Sequence, residues 1–87
     1  MNTVAIIHER LSALSPKNLE VHDDSARHAG HAGARDGGGH FSVDIVSEAF
    51  VGLRTQDRHR RVYALLADLM PRSIHALSLR ALAPGEL

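Results

Sequence analysis

Apolar residues in the first fourteen positions recur at helical spacing. Val4, Ile7, Leu11 and Leu14 stand at i, i+3, i+7 and i+10, one stripe of a helix over residues 3–14. Asn2 or Thr3 caps its start, since a short side-chain oxygen accepts from an orphan N–H. Ser15-Pro16 ends it, because a residue before proline is pushed out of the α region. The period then changes to two. In NLEVHDD, residues 18–24, Leu19 and Val21 face one side and Glu20, His22 and Asp24 the other, which predicts a short strand. HFSVDIVS, residues 40–47, turns Phe41, Val43 and Ile45 inward and Ser42 and Asp44 outward, a half-buried strand. In SEAFVGLR, Phe50 anchors to the core and Gly52 makes the turn. Val62, Leu65, Leu66 and Leu69 form the apolar face of a second helix, about 56–70, with Thr55 as N-cap and Pro71 as stop. SIHALSLRA, residues 73–81, alternates again as a third strand. The tail at the end of ALAPGEL, from about 83 to 87, is expected to fray. Residues 25–39 have no periodicity and five glycines, and read as a loop.

The element order is α-β-β-α-β in one domain spanning residues 1–87, an α+β fold. The first two strands meet through a long hairpin loop and are antiparallel. The second and third are joined through a helix, which predicts a parallel pair with a right-handed crossover. The expected result is a three-stranded mixed sheet with helices packed on one face. The glycine-rich loop feeds the start of the second strand, and a parallel third strand starts at that same end. His28, His31, His40 and His75 are thereby gathered at one rim.

Composition sharpens this picture. Hydrophobic residues make up 44% of the chain and aromatic ones 3%, so the core is aliphatic. The formal net charge is zero, leaving no global field to draw the chain onto DNA or an anionic membrane. The chain has no cysteine, hence no disulfide and no thiolate ligand of its own, which suits a reducing cytosol. MNTVAIIHERL lacks a basic signal-peptide start, and no stretch approaches the ~20 apolar residues of a membrane span. A cytoplasmic location is expected.

Imidazole is the commonest metal ligand. His28 and His31 are separated by two residues in HAGH, a spacing that a loop can close around a metal; alone it is also the spacing of a solvated pair. His75, arriving from across the fold, strengthens the metal reading. His40 opens a strand and is expected to hydrogen-bond a neighbour. Zinc-hydrolase, phosphate-loop and nucleophile-elbow signatures are absent, so an enzyme is not expected. In RTQDRHRR, residues 54–61, Arg54, Arg58, Arg60 and Arg61 form the basic cluster, able to touch phosphates. They oppose the helix macrodipole, which Asp57 only partly offsets. His59 borders the apolar face and reads as a structural histidine. GHAG, residues 30–33, matches the GxxG clamp of KH domains, but it lies between strands rather than helices.

LEVHDDS, HAGH, GHFSVDIVSEAF, RHRRVYALL and IHALSLRAL, in this order, resemble the BolA family nearly throughout, to about Ala83. The resemblance implies a class II KH-like fold. It also implies a partner, a monothiol glutaredoxin of the CGFS type, in a heterodimer that shares a [2Fe–2S] cluster. Glutaredoxin cysteine and glutathione would supply the thiolates and this chain histidine, which agrees with its lack of cysteine. Carried over by motif, the ligands are His28, after the D-S-x-x segment, and His75 of IHAL, with His31 as rival to His28. The implied role is non-enzymatic, in iron–sulfur handling or iron regulation, with no small-molecule substrate. BolA relatives are also described as transcriptional regulators, which would use Arg58, Arg60 and Arg61 on the second helix against DNA.

Overall fold

A computed structural model of the chain describes residues 2–25 and 39–86. Helix α1 spans Thr3–Leu11 and continues as a 3-10 turn over Ser12–Leu14. Asn2, not Thr3, is its cap: the side-chain oxygen accepts from the Ala5 N–H at 2.8 Å. Ser15, ahead of Pro16, turns left-handed with φ 47° and ends the element. The strands are β1 (Asn18–Asp23), β2 (Gly39–Val46) and β3 (Ile74–Leu82), in the order β1-β2-β3. β1 pairs antiparallel with β2, and β2 pairs parallel with β3, as the connections predict.

Both helices cover one face of the sheet. Phe41, Val43 and Ile45 of β2 close on Ile7 and Leu11 of α1 and on Val62 and Leu66 of the second helix. Burying each such side chain contributes about 1.5–3 kcal/mol. The link after β2 is fixed by Ser47, which is fully buried. Its hydroxyl donates to the Leu14 carbonyl at 2.6 Å and accepts from the Ala49 N–H, capping a 3-10 turn over Glu48–Phe50. Phe50 fills the core and Gly52 turns the chain at φ 78°.

Three elements differ from the sequence reading. The second helix, α2, spans Thr55–Leu66 and tightens to 3-10 geometry over Ala67–Leu69. Thr55 is its first residue rather than its cap; Arg54 holds the cap position, with no side-chain bond. Strict alternation in the third strand also fails. Gly39 pairs with Ile74 but His40 pairs with Ala76, so His75 is an extra residue in the ladder. This bulge lets Ile74 and Leu77, three positions apart, both serve the core.

The tail is the third correction. Ala83 is buried, and the Glu86 carboxylate accepts from its N–H at 2.8 Å. The same carboxylate takes a two-pronged ion pair from Arg58 at 2.5 and 2.9 Å. Arg58 further donates to the Leu53 and Ala81 carbonyls, so one guanidinium ties α2, β3 and the tail together. On the same edge of β3, the Tyr63 hydroxyl reaches the Leu77 carbonyl at a long 3.4 Å. At the other end of α2, Arg10 grips Asp68 at 2.6 and 2.8 Å and bonds the Leu65 carbonyl, joining α1 to α2.

The Arg58 hydrogen bonds, and next the Ala83 N–H, hold the Glu86 carboxyl at about 2, below its ordinary 4.5. A depressed carboxylate stabilises the fold fully above about pH 4.5, and that contribution is lost as pH falls through about 2. Glu86→Gln should therefore be less stable than the parent near neutrality. The gap between their denaturant midpoints should narrow steadily from pH 4.5 to 2; a constant gap would count against the clasp.

Candidate functional site: an imidazole rim

The parallel ladder places the start of β3 beside the start of β2, at the rim where β1 ends. Three consecutive turn-forming residues organise this rim. The Asp23 carboxylate accepts from the Ser25 N–H at 2.8 Å, and bonding to Ser25 holds its carboxyl below the usual range. The Asp24 N–H donates to the His40 carbonyl at 2.7 Å, while its carboxylate accepts a short bond from the Ser42 hydroxyl. The Ser25 hydroxyl accepts from the His40 N–H at 3.1 Å. The Gly39 N–H donates to the Ser73 carbonyl at 3.1 Å, so the entry to β2 is fastened to the entry of β3.

Gly39 has a steric duty here. A Cβ on it would stand 2.5 and 2.7 Å from the buried Phe41 ring and 3.0 Å from the Ser25 hydroxyl. Gly39→Ala should lose about 1–3 kcal/mol in denaturant titration, the usual cost of overpacking a filled core. An unchanged midpoint would show that the ring yields freely.

On this frame sit two imidazoles. His75 is exposed at the bulge, and His40 is half-buried on the neighbouring strand. Their ring centroids are 5.5 Å apart, with planes tilted by 49°. His28 and His31 lie outside the described residues. Of the four histidines assigned to one rim, His40 and His75 are thus placed together. Among the described residues, no group of three or more histidine, aspartate or glutamate side chains stands ready to enclose a metal.

The arginine cluster divides. Arg58 is 9% exposed and its guanidinium is taken by Glu86 and two carbonyls, so it is unavailable to a phosphate. Arg60 and Arg61 are exposed, with Arg60 only 3.7 Å from Asp57. Arg58 bonds at Ala81, six residues along β3 from His75 or about 20 Å at ordinary strand rise.

Sequence patterning passed over the fastening residues. Asp23, Asp24 and Ser25, three turn formers in a row before a glycine-rich stretch, were the available signal. For Glu86 there was none, since its partner is 28 residues away.

The chain is similar to proteins from plants and bacteria. It is 46% identical over 87 residues to the SufE-like protein 1, chloroplastic/mitochondrial, of Arabidopsis thaliana, covering 93% of this chain and 24% of that protein. It is 43% identical over 74 residues to the DNA-binding transcriptional regulator BolA of Escherichia coli K12, covering 84% of this chain and 68% of that one. The solved structure of BolA1 from Arabidopsis thaliana superposes with a TM-score of 0.86 at 38% identity, covering 100% and 97% of the two chains. Among the described residues, no helix is long and apolar enough to cross a membrane. The model of the BolA-like protein family matches residues 11–86, and with these relatives it shows that the chain belongs to the BolA family.

Proposed function

We propose that this chain is a non-enzymatic binding module that pairs with a monothiol glutaredoxin of the CGFS type and supplies histidine to a shared [2Fe–2S] cluster. The observation that carries this reading is the exposed His75, set at a bulge on a rim fastened to both flanks of the glycine-rich segment. His75 is the proposed ligand that lies among the described residues. His28, with His31 as its rival, is the candidate from the glycine-rich segment. Partner cysteine and glutathione supply the thiolates. The cluster brings one-electron chemistry and a cargo for transfer; this chain's share is to present neutral imidazole nitrogen at an open edge. Imidazole in place of thiolate raises the potential of such a centre.

The test is co-expression with a CGFS glutaredoxin and anaerobic purification. The parent pair should show the visible absorption of a [2Fe–2S] centre. The His28→Ala/His75→Ala pair should show a changed spectrum and faster cluster loss. A spectrum and lifetime identical to the parent's would reject these ligands, and failure of the two proteins to associate would reject the partnership.

A second reading, DNA binding, is favoured by the Escherichia coli relative and by the exposed Arg60 and Arg61. It requires duplex affinity that falls with salt and drops on Arg60→Ala/Arg61→Ala, with the salt slope reduced by about one unit for each phosphate no longer neutralised. Arg58 is no part of that test, because its guanidinium is committed to Glu86 and two carbonyls. Absence of binding at low salt would dispose of this reading.

A further inference from the structure

We infer that the free border of β1 pairs with β1 of a second copy of this chain, antiparallel and in one register, with Val21 on the two-fold axis. The pairing goes beyond the proposed function, since it needs neither glutaredoxin nor a cluster.

The two borders of the sheet differ. On β3 the outward Leu77 and Ala81 carbonyls are engaged by Tyr63 and Arg58. On β1 the phase of the ladder decides what faces out. The Asp24 N–H bonds the His40 carbonyl, so the even-numbered residues of this strand turn their backbone groups to β2. Leu19, Val21 and Asp23 turn theirs outward. Among the described residues, nothing beyond the ladder bonds the backbone of Leu19 or Val21. The core is open along this border as well. Leu19 and Val21 pack against it yet stay half-buried, as do Val4 and Leu14. A strand added here would supply backbone partners and cover that apolar strip together.

Charge selects the occupant and the register. On the uncovered face of β1, Glu20 and His22 are both exposed, 3.4 Å apart. Paired antiparallel about Val21, two copies set Glu20 opposite His22 of the other copy, twice by symmetry. Leu19 then lies opposite Asp23, and Val21 opposite Val21, all with outward backbone groups that exchange bonds. A register centred one residue earlier or later sets Glu20 on Glu20 or His22 on His22, like against like. The segment is thus its own complement, the condition for an isologous contact. An antiparallel seam leaves the two imidazole rims at opposite ends of the joined sheet.

Sedimentation equilibrium of the whole chain, from micromolar to millimolar concentration, should show the mass rising from monomer to dimer. His22→Glu should weaken the dimer about tenfold, because it sets carboxylate against carboxylate at both pairs; adding Glu20→Lys should restore it. Both positions are exposed, and circular dichroism confirms that each variant is folded. The register is read separately, since the chain has no cysteine of its own. Mild oxidation of an equimolar mixture of Glu20→Cys and His22→Cys chains should give mostly the mixed disulfide, because only that pair lies directly opposite. A chain that stays monomeric, a dimer indifferent to His22→Glu, or disulfides in the random ratio would each overturn the pairing. None of these results bears on whether the glutaredoxin pair forms.

Discussion

The parallel pairing of β2 with β3 is the constraint from which the functional geometry follows. A strand that returns through a helix must begin where its neighbour begins, so the entry to β3 comes to lie beside the entry to β2. That entry is also where β1 delivers the chain into its glycine-rich segment. Residues separated by 35 positions in sequence, His40 and His75, thereby become neighbours. An antiparallel third strand would have carried His75 to the far border of the sheet. The bulge refines this placement: it lets the same strand obey the core at Ile74 and at Leu77 while presenting an imidazole between them.

Much of this was legible in the residues themselves. The alternation of Phe41, Val43 and Ile45 set the inner face of β2, and the helical spacing of Ile7, Leu11, Val62 and Leu66 chose what packs on it. The helical pattern in the second connection, and its absence from the first, told a crossover from a hairpin. What periodicity could not reveal were the places where a long-range partner overrides local pattern. Alternation through SIHALSLRA looked unbroken because Ser, His and Ala between apolar residues fit either register; only the facing strand exposes the extra residue. Thr55 resembled a cap in type, yet Arg54 is where the backbone leaves the extended region, at ψ 157°. The Asp23-Asp24-Ser25 group marked a turn without disclosing that it grips β2.

Arg58 shows how charge in a linear sequence misleads. Among four arginines near a helix start it resembled one more surface cation. Its neighbours in space make it a structural keystone, with a carboxylate and two carbonyls arranged around a planar fork that lysine could not replace. This division leaves Arg60 and Arg61 as solvent cations and separates the Arg58 anchor from the imidazole rim by most of the length of β3.

The bonds along the outer border of β3 reach further than local stability. In a strand, alternate carbonyls share one border, and on this one the Leu77 and Ala81 oxygens are already engaged by Tyr63 and Arg58. An incoming fourth strand would meet two acceptors already engaged and a guanidinium in its path. Growth of the sheet by addition, the common route to runaway self-association, is hindered on that side. Recognition on this flank is left to side chains and to the strand entries, a mode that selects by chemistry and shape rather than by generic backbone pairing.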